Sequence, residues 1–158
     1  MKKIILSFFT ITAVLFTSCM STKLTMENNY SEVVEVSGIQ AELYTKANLN
    51  FVDMFKSSKS VVQYSDKESG VIKGKYFSPN IMIGWNSCDI YSIIQVDVKD
   101  NKYKISFSIA SVEVPNMWNG KKEESNIISD DMLIAMKSEW KALATDFKSK
   151  MVIKNSDW

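Results

Sequence analysis

The sequence predicts an α+β domain, an antiparallel sheet with two amphipathic helices packed on one of its faces. Three observations carry this expectation. Between Ile90 and Val114 the chain alternates apolar and polar residues with a period of two, interrupted at Asp100-Asn101. From Ile39 to Met54, and again from Met132 to Met151, apolar residues recur every three or four positions. Segments rich in turn formers, Asp66-Lys67-Glu68-Ser69-Gly70 among them, separate the runs and allow neighbouring strands to fold back on each other.

The central stretch sets the register. Ile90, Ser92, Ile94, Val96 and Val98 share one side of a strand, with Tyr91, Ile93, Gln95, Asp97 and Lys99 on the other. A two-residue turn at Asp100-Asn101, with positive φ at both positions, opposes Val98 with Tyr103, Val96 with Ile105, Ile94 with Phe107 and Ser92 with Ile109. On the other face Asp97 then meets Lys104, and Gln95 meets Ser106. A slip of one residue would turn every apolar side chain toward water, so the pairing is strongly specified.

Ahead of this domain, Met1-Lys2-Lys3 and the apolar run Ile4 to Phe16 have the form of a signal peptide, expected over residues 1–18 and too short to span a bilayer comfortably. The run ends in Leu15-Phe16-Thr17-Ser18-Cys19, which resembles the lipobox of bacterial lipoproteins, with Phe16 where leucine is more usual. The resemblance implies that Cys19 is acylated and becomes the new N-terminus; a plain secretory signal and an uncleaved anchor are the other readings. Residues 19–29 are then a lipidated tether and residues 30–158 a single α+β domain. Surface-exported lipoproteins of some Gram-negative bacteria carry acidic residues just after the lipid-bearing cysteine. Here the first acid is Glu27, and the resemblance implies a cell-envelope protein on the outer membrane, facing the periplasm.

Within the domain, Tyr30 to Val36 predicts a first strand. Ser37 stands as a helix N-cap, with Gln40 completing a capping box. Ile39, Leu43, Ala47, Phe51 and Met54 form the apolar stripe of that helix, with Glu42, Lys46 and Asp53 away from it and Leu49 outside it. After Ser57-Ser58-Lys59, strands Ser60 to Tyr64 and Val71 to Phe77 form a hairpin. Gly70 takes positive φ in its turn, and Gly74 marks a bulge or a close approach. Pro79-Asn80 breaks the run before a short strand Ile81 to Trp85, and Asn86-Ser87-Cys88-Asp89 turns into the central hairpin. Pro115 to Ser129 is a long connection of the kind that is often functional or disordered; its Trp118 is either a ligand anchor or tucked against the sheet rim. Ser129-Asp130-Asp131 opens the last helix at its favourable electrostatic end. The helix stripe is Met132, Met136, Trp140, Leu143, Phe147 and Met151, and Lys148 and Lys150 suit its C-terminus.

Four blocks also resemble a known family. They are Glu42-Leu43-Tyr44-Thr45-Lys46-Ala47, Ser58 to Tyr64, Asp66 to Lys75 and Val98-Lys99-Asp100-Asn101-Lys102-Tyr103. Together, over about Val36 to Val114, they are similar to an uncharacterised lipoprotein domain family of Gram-negative bacteria, a domain of unknown function with a TATA-binding-protein-like fold. The resemblance implies a curved antiparallel sheet backed by helices; it implies neither DNA binding nor any catalytic residue. Asn50 departs from it, since a larger and often aromatic residue is expected there.

Composition bounds the chemistry. The chain has 158 residues and is 46% hydrophobic, enough for one domain with a substantial core. Histidine is absent and every basic residue is lysine, which removes Ser-His-Asp and Cys-His catalysis, histidine zinc sites and arginine forks for phosphate. Without its leader the chain would carry 17 lysines against 18 acidic residues, which gives no electrostatic case for nucleic acid. With Cys19 acylated, Cys88 has no disulfide partner and lacks a neighbouring base, so it reads as a small hydrophobe. No cofactor or metal site is expected, and no enzyme. The expected role is a non-catalytic envelope lipoprotein that binds an envelope protein or small ligand. It would bind through the uncovered sheet face near Tyr91, Ile93, Gln95, Ser106 and Ser108, with Trp118 as a further contact. The alternative is a structural subunit or brace of an envelope assembly. A hydrolase using Asp89, Asp97 or Glu113 is a third reading, which requires two carboxylates together beside an apolar wall.

Overall fold

The hairpin implied by the alternating pattern forms the middle of the sheet. Strands β4 (Asn86–Lys99) and β5 (Lys102–Pro115) pair antiparallel, with Val98 opposite Tyr103, Val96 opposite Ile105, Ile94 opposite Phe107 and Ser92 opposite Ile109. Beyond Ser92 the ladder shifts, so that Tyr91 faces Ser111 and Ala110 is the extra residue of a bulge. The computed structural model of the protein describes residues 29–54, 61–116, 118–125 and 127–152. The expected signal peptide, Cys19, Ser57-Ser58-Lys59, Ser60 and Met117 lie outside the described residues.

Around that hairpin lie β1 (Asn29–Glu35), α1 (Gln40–Met54), β2 (Val61–Asp66), β3 (Val71–Ile83), β6 (Lys122–Ser125) and α2 (Asp130–Val152). The described strands form a single antiparallel sheet of order β1-β5-β4-β3-β2, with β6 also pairing β5. β1 and β6 occupy successive stretches of the same β5 edge, opposite residues 102–108 and 112–115. Both helices cover one face. Their buried residues Phe51, Met136, Trp140, Phe147 and Met151 meet Ile72, Ile90, Ile94, Val96, Tyr103, Ile105 and Phe107 in one core. Full burial of each aliphatic side chain there contributes about 1.5–3 kcal/mol, which is what holds the helices down. Aromatic contacts fix the α2 rotation: Trp140 stacks on Phe107 with centroids 5.9 Å apart, and Phe147 meets Tyr103 edge-on at 5.5 Å. The Trp140 indole N–H donates to the buried Ser92 hydroxyl at 3.0 Å, which explains a serine in an otherwise aliphatic row.

The start of α1 differs from the local capping box. The Gln40 amide donates to Asp100 Oδ1 at 2.7 Å, and the Gln40 side chain donates to the Glu68 carbonyl at 3.1 Å. The cap therefore comes from the distant β4–β5 turn, not from Ser37. The same turn is tied to the helix entry by Asn101 N to Gly38 O (2.9 Å), Gly38 N to Asn101 Oδ1 (3.2 Å) and Val36 N to Asn101 O (3.0 Å). Asn101 alone of the turn pair takes positive φ, 59°, because these cross-links set the backbone of the turn together with the hairpin. Ile39, expected on the stripe, is 58% exposed: its carbonyl accepts the first helical bonds, it precedes the first helical residue, and Tyr44 fills the core position. At α2 the local reading holds, since Ser129 Oγ accepts the Met132 amide at 3.2 Å.

Three further boundaries move. Pro79-Asn80 does not break the strand; β3 runs through, with the pair forming a bulge opposite Asp89, whose carboxylate accepts the Asn80 amide at 3.0 Å. Asn80 takes φ 55° there, a conformation asparagine tolerates. Asn86 to Asp89 is therefore strand, and the turn is Gly84-Trp85, with Gly84 at φ 58°. The connection after Pro115 contains β6, a polar strand with no apolar period, formed because the edge of β5 supplies hydrogen-bonding partners. Gly70 has φ 73° and lies against Val98, while the β2 bulge falls between Val62 and Tyr64, opposite Gly74 and Lys73.

Candidate functional site

The face of the sheet away from the helices is assembled by the alternate residues of each strand. Across β5, β4 and β3, one row runs Lys104, Asp97, Val71, the next Ser106, Gln95, Lys73, then Ser108, Ile93, Lys75, and then Ser111, Tyr91, Phe77. β1 extends these rows with Val33, Ser31 and Asn29. Most of these side chains are half-buried, since neither described helix lies over them and among the described residues only their neighbours in the sheet shade them.

Tyr91 is the most heavily engaged member. Its ring lies 5.0 Å from that of Phe77, and the Lys75 ammonium sits 4.2 Å above its centroid. Its pKa is raised, first by burial and then by the negative charges of Glu113 and Asp89 nearby. Gln95 donates to Asp97 at 2.8 Å. The result is a mixed surface of aromatic rings, small hydroxyls and opposite charges at fixed positions, suited to a polar partner with some aromatic contact.

The expected contacts Tyr91, Ile93, Gln95, Ser106 and Ser108 all fall on this face, in three consecutive rows. Trp118 does not join them. It sits in the loop between β5 and β6 and is 97% exposed, so it does not tuck against the rim either. Phe77, Lys75 and Lys73 join the face beyond the set expected from the sequence. Their place depends on the ladder continuing past Pro79-Asn80, and a break there leaves the pairing of Phe77 with Tyr91 undetermined.

The three candidate carboxylates divide. Asp89 and Glu113 face each other across β4 and β5, while Asp97 lies at the other end of the ladder. Asp89 is buried, accepts from Asn80 and pairs with the Lys122 ammonium at 2.6 Å, so its oxygens brace the bulge and the β6 strand. A recess of about 350 Å³ lies at the Val33, Asp97 and Lys104 end of this face, and a wider one of about 580 Å³ lies elsewhere, lined by α1 residues with Lys67 and Lys150. Among the described residues no group of three His, Cys, Asp or Glu side chains can hold a metal ion. Cys88 is buried among the core residues on the helix face, and burial pushes its thiol pKa up, the opposite of an activated nucleophile. No described helix is long and apolar enough to cross a membrane.

Among the described residues, an open antiparallel sheet with two helices on one face and none on the other defines the class of single-layer α+β domains with a TBP-like fold. Solved structures share it, two of them as follows. A TBP-like protein from Parabacteroides distasonis matches with a TM-score of 0.63 at 17% identity, covering 78% of this chain and 91% of its own. A DUF4468 family protein from Bacteroides ovatus matches with a TM-score of 0.57 at 11% identity, covering 82% and 89%. The chain itself belongs to the family described as a domain of unknown function (DUF4468) with TBP-like fold, which matches residues 30–112. No curated protein matches it.

Proposed function

We propose that the protein is a non-catalytic lipoprotein of the cell envelope, held by an acyl group on Cys19 at the outer membrane and facing the periplasm. In this reading it binds an envelope protein or small ligand on its uncovered sheet face. The observation that supports it is the cluster of Tyr91, Phe77, Lys75 and Glu113, which presents organised aromatic and charged groups on a face that no element of the described fold covers. The cationic groups Lys73, Lys75 and Lys104 alternate with Asp97, Glu113 and Asp89, so the face has no net basic field to draw nucleic acid. Asp89 is held by Lys122 and the Asn80 amide, and Asp97 by the Gln95 side chain at the other end of the ladder, which argues against acid–base catalysis.

Crosslinking in intact cells, with the wild-type protein and a Tyr91→Ala/Gln95→Ala variant, tests the binding role. The variant is expected to lose a partner that the wild-type captures. An unchanged set of captured species, with the variant folded and membrane-bound, would refute it. Palmitate labelling of wild-type and Cys19→Ala protein tests the anchor, and label retained by the variant would defeat it.

A further inference from the structure

Two fully exposed tryptophans project from the same end of the sheet. Trp85 is 100% exposed in the Gly84-Trp85 turn between β3 and β4, and Trp118 is 97% exposed in the loop between β5 and β6. Because Asp89 pairs with Glu113, the start of β4 lies beside the end of β5, and the two tips emerge together. Adjacent strands are about 4.8 Å apart, so the tips are separated by roughly 10 Å. An apolar recess of about 260 Å³ lies at this end, lined by Asn86, Val114, Pro115, Ser125, Ile127 and Met132.

The Trp118 loop is braced rather than slack. Asn116 N donates to Lys121 O at 2.7 Å, Gly120 N to Asn116 O at 2.9 Å and Trp118 N to Asn116 Oδ1 at 2.8 Å; the Asn116 and Asn119 side chains both donate to Glu123 Oε1. These bonds hold the loop's largest apolar side chain out in water. The opposite end of the sheet shows the contrast, its turns being Asp66-Lys67-Glu68-Ser69 and Lys99-Asp100-Asn101-Lys102.

We infer that this end, with Trp85 and Trp118 at its tips, rests in the headgroup layer of a phospholipid bilayer. The inference builds on the lipid anchor proposed above. Strand β1 begins at Asn29, opposite Ser108, and runs away from the tryptophan end, so its first residue is the one nearest that end. Asn29 lies ten positions after Cys19. At a maximum of about 3.5 Å per residue they reach about 35 Å, against the roughly 23 Å of strand between the level of Ser108 and that of Pro115. An acyl group on Cys19 thus reaches past the tips but keeps the domain close to the lipid. Tryptophan is the side chain that favours this interfacial layer. Charge does not drive the contact, since Lys121 and Lys122 at this end are outnumbered by Glu123, Glu124, Asp130 and Asp131. Docked this way, the strands stand on the bilayer and the Tyr91 face is turned sideways, open to a partner.

The test uses the processed protein, purified from membranes and reconstituted in phosphatidylcholine vesicles whose acyl chains are brominated near the headgroup or near the methyl end. Every protein carries Trp158→Phe, and Trp85→Phe, Trp118→Phe and the double variant are compared with that background. Bromolipid quenching is expected in the fluorescence lost from the double variant, stronger with bromines near the headgroup. Trp140, buried in the core, stays unquenched. Anionic lipid is expected to leave the quenching unchanged or weaken it. If Trp85 and Trp118 remain accessible to aqueous acrylamide and unquenched by lipid, the inference is wrong, including where they become shielded only by an added envelope protein. Mass spectrometry of the same sample separates the two readings. An unacylated Cys19 overturns both, whereas an acylated Cys19 with unquenched tryptophans overturns only this one.

Discussion

Replacing Asp100 with alanine removes the oxygen that accepts the first helical amide of α1, at 2.7 Å from Gln40. Loss of a capping side chain costs about 1 kcal/mol, within a range of about 0.5–2. Asp100 also places negative charge at the positive end of the α1 dipole, a further contribution of about 0.3–1 kcal/mol that partly overlaps the first. The expected loss is about 1–1.5 kcal/mol, or roughly 4–6 °C in Tm for a domain of this size. Asp100→Asn keeps an acceptor and loses the charge, so it should cost about half as much. Ser37→Ala should be near neutral, because the helix entry is satisfied from the far turn. Urea midpoints of the three variants, read by circular dichroism at constant m-value, provide the comparison. A Ser37→Ala loss equal to that of Asp100→Ala would refute the distant cap and restore the local one.

Three other outcomes follow from the interior. The Glu139 carboxyl is half-buried, its pKa raised by that burial and opposed only by the Ser78 hydroxyl at 3.0 Å. A raised folded pKa means that the folded state holds the proton longer, so stability should fall as pH climbs from the ordinary glutamate range through the shifted one. Glu139→Gln should flatten that slope, and Tm curves for both proteins against pH will show whether it does. Trp140→Phe leaves the buried Ser92 hydroxyl without its indole donor and opens space beside Phe107, for a loss of about 2–4 kcal/mol in denaturant melts. Adding Ser92→Ala should recover about 1 kcal/mol; strict additivity would argue that the bond contributes nothing. Asn50 has a buried Nδ2 with no partner among the described residues, on the wall of the concavity lined by α1, Lys67 and Lys150. Asn50→Leu should therefore stabilise by about 1 kcal/mol in the same melts.

Where one face of an element is buried, the sequence reading and the structure agree. The β4–β5 register follows from the coincidence of Ile94, Val96 and Val98 with Phe107, Ile105 and Tyr103, because any other pairing exposes them. The α2 stripe is legible for the same reason, with Leu143 only partly buried. The misreadings share another cause: they depend on partners far away in the chain. Ser37 and Gln40 have the local form of a capping box, but the acceptor that takes the Gln40 amide lies sixty residues on. Pro79-Asn80 has the form of a break, and only the Asp89 carboxylate, which takes over the displaced Asn80 amide, makes it a bulge. β6 consists of Lys122, Glu123, Glu124 and Ser125, which carry no strand period at all; the edge of β5 makes them a strand. Of the open face, the β4 and β5 contribution was legible from their alternation. The β3 contribution was not, since Phe77 reaches Tyr91 only through that bulge.

The position of β1 beside β5 bears on how the chain folds. The first strand finds its only strand neighbour among the described elements after α1, β2, β3 and β4 have all intervened. A pairing closed over so long a loop is entropically deferred, so the emerging chain stays unpaired at its front until the second half of the sheet exists. The polypeptide is thus slow to close, and during that interval its leading segment remains an extended thread.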